Sequence, residues 1–269
     1  MDAADLRAFR RHAADASLLA GGATAILLQL ADPRVAAGVA RHSDFASRPL
    51  DRLRGTLDYM YAVGFGDDEL VAAVAAIVDA RHRPVHGRSD ASQRYSAFDA
   101  DAQRWVASTL LAVALELHER LNGPLSESEA DAIVRCYGEL GDRLQAGSAG
   151  WPRRRVEFDA WWAARLAALE VGDEARSVAR ALLAGSGLPA GLRLLLPPVR
   201  LMTVATLPAP LRTAYGLSSA PHVLAAGEAW LAALSVVRRL VPGGIRRLPM
   251  RLSLRRARRR TEYAGHRGR

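Results

Sequence analysis

The chain has no lysine: all 37 of its basic residues are arginine. That absence excludes lysine chemistry outright, whether a Schiff base or an amine nucleophile. Cysteine is nearly absent too. Cys136 is the single one, so an internal disulfide and a Cys-x-x-Cys metal or redox pair are both excluded. Aromatics make up only 6% of the residues, while Ala and Leu are abundant, which favours helix formers over strand formers. Long apolar runs are missing as well. The stretch Ala16–Ala31 has 16 residues, and a spanning helix needs about 20. Acids precede that stretch at the N-terminus, unlike the charged-then-apolar layout of a secretory signal. These absences together lead to the expectation of a cytoplasmic protein.

What is present fits one domain. Of 269 residues, 50% are hydrophobic, enough for one sizeable core. The net charge of +9 is concentrated at one end, since residues 238–269 hold 12 Arg and a single acid, Glu262. A segment with RRARRR at 255–260 suits phosphates or an anionic membrane surface, but its plainer reading is a solvated terminus with no dedicated partner. Specific nucleic-acid binding is not expected, because no aromatic interleaves the basic run.

The apolar spacing predicts helices throughout. The first covers Ala3–Ala20, with Leu6, Phe9 and Leu18 inward, and ends at Gly21-Gly22. A very apolar one follows over Ala25–Ala31, and a third starts at Pro33. Ser47 caps a fourth, which carries Arg52 on its first full turn and stops at Gly64-Phe65-Gly66. Asp67 and Asp68 open the fifth, suited to the positive end of its dipole. In that helix Val71, Val74, Val78 and His82 form one face, and Pro84 forces an end near His82. Helices over Ala100–Leu121, Ser126–Gln145 and Val156–Leu169 come next, the second opened by a capping box of Ser126 and Glu129. Residues 172–184 and His222–Val241 are helical as well, and 185–216 form short helices and turns. No strand-period alternation of useful length exists. The fold class is therefore all-α: a single multi-helix globular domain over 1–240 around a buried apolar pocket, followed by a basic tail at 241–269.

A few polar groups interrupt this apolar framework. Arg52 and Thr56 sit one helical turn apart and share a face. Buried, they make an anion clamp; exposed, they are two ordinary surface residues. His82 ends an apolar stripe, either as a satisfied core histidine or as a metal ligand. His86 lies four residues on, but Pro84 and the missing glutamate base make a zinc helix a poor reading. His42-Ser43-Asp44 caps a helix end or lines a pocket. Asp32 is a helix-boundary acid or a pocket carboxylate. Trp105, Trp151, Trp161 and Trp162 read as core or pocket wall. The chain carries no G-x-S-x-G, P-loop or Rossmann glycine motif, so hydrolase and nucleotide-binding readings lose their usual support.

The order of several motifs carries a resemblance. LLQLADPRVAAGVARHSDF, RLRGT, FGD, the H-x-x-V-x-G of His82–Gly87, YSAFDADAQRWVASTLL at 95–111 and LPAPLRTAYGL at 207–217 together resemble the MpaB-type oxygenase family, which includes the catalytic domain of latex-clearing rubber oxygenases. The resemblance implies an all-helical fold around haem b, whose iron activates dioxygen to cleave a carbon–carbon double bond of an isoprenoid chain. It maps the family's Arg-x-x-x-Thr onto Arg52 and Thr56 and makes His82 the axial iron ligand, with His86 as the fallback. The chain departs from the pattern twice: Asp32-Pro33 stands where many relatives have His-Pro, and Gly55 where rubber-cleaving members have a Lys. The resulting expectation is a haem b-dependent oxygenase acting on an apolar small molecule. The alternative is a helical lipid- or terpenoid-binding protein of the same fold that has lost catalysis.

Overall fold

The computed structural model describes residues 2–42, 48–89, 93–147 and 149–267, with side chains as far as Thr261. Ser43, Asp44 and Ser47 lie outside the described residues. The elements in chain order are α1 (Ala3–Ala13), a 3₁₀ turn (Ala16–Gly21), α2 (Gly22–Leu30), α3 (Pro33–His42), α4 (Pro49–Phe65), α5 (Asp68–His82), β1 (His86–Arg88), β2 (Arg94–Ser96), α6 (Ala100–Asn122), α7 (Glu127–Asp142), α8 (Arg155–Ala167), α9 (Asp173–Ala184), α10 (Ala190–Arg193), α11 (Leu196–Thr206), α12 (Ala209–Ala214), α13 (Pro221–Leu240), α14 (Gly243–Arg246) and α15 (Leu248–Arg267). The fold is all-α, with one short ribbon among the described residues.

α6 is the axis of the core. Its side chains are buried on opposite faces and separate two apolar clusters. Leu111 and Leu115 face Phe9, Tyr59, Val71 and Tyr137 from α1, α4, α5 and α7. Val113 and Leu117 face Leu27, Leu30, Leu207 and Leu231 from α2, the α11–α12 turn and α13. Each such fully buried Leu stabilises the fold by about 1.5–3 kcal/mol relative to an exposed one. Trp105 of α6 stacks on Trp162 of α8 with ring centroids 5.0 Å apart, and its indole N–H donates to the Leu28 carbonyl at 3.2 Å. Gly227 lets α13 approach α11, because a Cβ there would collide with the Leu201 carbonyl oxygen.

The second helix starts at Gly22 rather than Ala25, and the expected and observed elements differ more widely in three other places. The first helix ends at Ala13 rather than Ala20. Asp15 breaks it by starting the 3₁₀ turn, where its carboxylate accepts from the Ser17 amide at 3.0 Å and the Ser17 hydroxyl at 2.8 Å. Next, β1 and β2 form an antiparallel ribbon pairing His86 with Ser96 and Arg88 with Arg94. Strands of three mostly polar residues are too short to leave an alternation that can be recognised in sequence. Finally, the basic segment is a helix docked on the body rather than a solvated terminus. Ala257 of α15 is buried in the first cluster, and Asp58 on α4, itself buried, accepts from Arg256 Nε at 3.0 Å. Among the described residues no single helix is long and apolar enough to cross a membrane.

Candidate functional site

The α4–α5 hairpin sets the site. Gly66 is extended and ends α4, and the Asp67 carboxylate then accepts from the Leu70 amide at 2.9 Å, capping α5. So short a turn folds the two helices back on each other. The N-terminal half of α4, with Arg52, Gly55 and Thr56, thereby meets the C-terminal end of α5, with Arg81 and His82. A Cβ on Gly55 would lie 2.8 Å from the Arg81 guanidinium Nη1, so the missing side chain at 55 is what admits that cation. The sequence placed Arg52, Thr56 and His82 in one region, and the fold brings these segments together.

The surroundings at this junction disfavour the protonated form of His82. Burial pushes its pKa down first and the nearby Arg52 cation pushes it further, while Asp79 on the same helix opposes both. The ring is half-buried, and its Nδ1 is buried without a hydrogen-bond partner among the described residues. A buried polar nitrogen left in that state costs free energy, whereas a lone pair on a neutral imidazole is what a metal ion takes up. Burial also lowers the pKa of the Arg52 guanidinium. Thr56 is half-buried one turn further on.

A polar chain absent from the sequence reading supports this end of α5. The Asp79 carboxylate accepts from Gln145 Nε2 at 2.9 Å. The Gln145 amide N–H donates to Gln103 Oε1 at 3.0 Å, and Gln103 Nε2 donates to the Ala97 carbonyl at 2.8 Å. That chain fixes the segment before α6, where the Phe98 ring stands edge-on to the His82 ring with centroids 6.3 Å apart. Two glutamines and an aspartate from separate parts of the chain carry no spacing signal, so sequence alone could not have joined them.

The remaining candidates lie elsewhere in roles of their own. His86 is exposed on β1. His42 Nε2 is 2.9 Å from the Tyr95 hydroxyl, which ties α3 to β2. Asp32 is a buried ion-pair hub at the α2–α3 boundary: it accepts from the Arg34 amide at 2.9 Å, Arg34 Nη2 at 2.7 Å and Arg165 Nη2 at 2.9 Å. Trp105 and Trp162 are stacked in the core, and the Trp151 indole donates to the Val134 carbonyl at 2.8 Å.

A second polar pair was also missed. His12 of α1 and His118 of α6 bring their Nδ1 atoms to 3.1 Å, at a void of about 10 Å³ that Phe9 and Tyr137 also line. Burial is the largest cause lowering both of their pKa values. The pair lies across 106 residues of sequence, beyond the reach of any local pattern. A larger cavity of about 310 Å³ has Leu28, Val113, Trp162 and Leu207 as its apolar wall and Arg120 and Arg212 at its polar edge. None of Arg52, Thr56, His82 or His86 lines either space.

Comparison with known proteins gives a consistent result. The family described as "ER-bound oxygenase mpaB/B'/Rubber oxygenase, catalytic domain" matches residues 9–241. Two mycobacterial relatives, uncharacterized protein Rv2237 of Mycobacterium tuberculosis and uncharacterized protein Mb2261 of Mycobacterium bovis, are each 32% identical over 189 residues, covering 69% of this chain and 74% of the relative. No solved structure matches the chain.

Proposed function

We propose a haem b-dependent oxygenase acting with dioxygen on an apolar small molecule, on the premise that this chain belongs to the family of ER-bound MpaB oxygenases and rubber-oxygenase catalytic domains. One observation carries the finer reading: the buried Nδ1 of His82 has no hydrogen-bond partner among the described residues, beside an arginine that disfavours its protonation. That is the donor chemistry of an axial iron ligand.

Bound haem would supply the redox-active iron that activates dioxygen. The chain's own residues do the rest. His82 would offer an imidazole lone pair, since burial and then Arg52 both disfavour its protonation. Arg52 would pair with a propionate or substrate carboxylate, and the Thr56 hydroxyl would add a neutral donor one turn away. Arg81, admitted by Gly55, adds a second cation at the same end. A guanidinium there is not an amine base, which directs the reading away from polyisoprene and towards another apolar substrate. Neither described cavity lies at His82, so the reading requires space to open beneath the partly exposed Phe98 ring.

Elemental and pyridine-haemochrome analysis of protein from haem-supplemented cells tests this. Iron and haem b at one equivalent each are expected. Protein that carries neither, and takes up no added haemin, contradicts it. The 310 Å³ cavity with its apolar wall favours a second reading, a non-catalytic lipid- or terpenoid-binding protein. Ligand uptake by iron-free protein that is abolished by Val113→Trp, which fills that cavity, distinguishes this reading.

A further inference from the structure

We propose that the elbow formed by the end of α13, α14 and the start of α15 is a docking surface for an anionic lipid bilayer. The elbow is built inside out. Arg238 and Arg246 turn inward and both donate to Asp15 Oδ2, at 3.0 and 2.6 Å, and Arg256 turns inward to Asp58. Over the same stretch the large aliphatics turn outward: Val236, Val237, Leu240, Ile245, Leu248 and Leu252 are 47 to 79% exposed. A surface selected to face water does the reverse, keeping guanidinium groups in solvent and aliphatic side chains in the core. Scattered exposed aliphatics are ordinary, but six clustered between Val236 and Leu252 are not.

The charge around this patch selects the occupant. Arg251, Arg255 and Arg259 on α15, and Arg247 just before it, are all exposed, and their spacing of four continues one stripe along the helix. Arg239 is exposed as well, so the rim of the patch is cationic. Trp230, one heptad before Val237 and also exposed, has the amphipathic ring that favours a lipid–water boundary. Aliphatic side chains entering the headgroup region, with guanidinium groups on the phosphates, satisfy both halves of the pattern. A second copy of the chain would set the arginine stripe against itself. A nucleic acid would leave the aliphatic side chains uncovered. The protein would lie on the bilayer through this face, because the elbow's inward arginines tie it to the body while its aliphatic side chains point out.

Vesicle flotation of the full chain tests this, read beside light scattering and circular dichroism. The wild type is expected to float with phosphatidylcholine–phosphatidylglycerol vesicles and to bind pure phosphatidylcholine about tenfold less well. The triple variant Leu240→Ser, Ile245→Ser, Leu248→Ser is expected to lose flotation with unchanged helical content, because all three side chains already face solvent. Arg247→Gln, Arg251→Gln, Arg255→Gln together are expected to erase the preference for anionic vesicles. Wild-type protein that stays at the bottom of the gradient with anionic vesicles overturns the proposal, as does undiminished flotation of the triple serine variant. A dimer that the serine variant splits into monomers also overturns it, by assigning the face to self-association.

Discussion

Arg256 of α15 donates through Nε to Oδ2 of Asp58 on α4 at 3.0 Å, fastening the arginine-rich C-terminal helix to the helix that carries Arg52 and Thr56. Asp58 also accepts from Ser253 Oγ and from Arg260 Nη1. Asp58→Ala removes a buried acceptor shared by three donors. Because Arg256 is partly exposed and can recover water, the expected loss is about 2–3 kcal/mol, at the lower edge for a broken buried pair. Thermal denaturation reads the loss, and limited trypsin digestion is expected to cut first between Arg255 and Arg260. Unchanged cleavage and melting would show that α15 is held by its apolar face alone.

The behaviour of this helix marks the limit of what the sequence discloses. Its arginines read as solvated charge, because the acids that hold it, Asp58 and Asp67, lie about two hundred residues upstream. Local signals fared better. The Pro33, Asp67 and Pro84 boundaries lie where capping chemistry and proline sterics put them, and Ser126 accepts from the Glu129 amide as the capping box requires. Arg52 and His82 were legible as one region since a single tight turn separates their helices. The Gln103–Gln145–Asp79 chain and the His12–His118 pair were not, since each depends on which helix faces come to face one another in the folded core.

Two glycines on helices predict opposite outcomes. At Gly55 the nearest obstacle to a Cβ is the end of the flexible, exposed Arg81 side chain. Gly55→Ala is therefore expected to raise stability by up to about 1 kcal/mol through helix propensity. At Gly227 the obstacle is the Leu201 backbone carbonyl, which cannot move aside without parting α11 from α13. Gly227→Ala is expected to cost about 1–3 kcal/mol. Denaturant titration of the two variants beside the wild type checks both signs.

The His12–His118 pair predicts a pH dependence. His118 is pushed down to about 4 from an ordinary 6.5, by burial first and then by His12. The unfolded chain therefore binds protons between those values that the folded chain refuses. Stability is unaffected by this pair above pH 6.5 and declines as pH falls from 6.5 towards 4. Discounted for partial exposure, His118 accounts for roughly 1–2 kcal/mol of that decline. His118→Gln is expected to flatten the slope in this window. A slope that survives the substitution would assign it to other groups.

Phe98 predicts a gating effect at the candidate iron ligand. Its ring stands edge-on to His82 and is partly exposed, so Phe98→Ala is expected to speed haemin uptake by iron-free protein severalfold while leaving the folded stability within about 1 kcal/mol. Stopped-flow absorbance on haemin addition reads the rate. Slower uptake would place the entry elsewhere.

The most direct measurement is the absorption spectrum of purified wild-type, His82→Ala and His86→Ala proteins from haem-supplemented cells. The account predicts a Soret band in the wild type, its retention in His86→Ala and its loss in His82→Ala at unchanged helical content. A Soret band that persists without the His82 imidazole, or a wild-type protein that shows none, contradicts it.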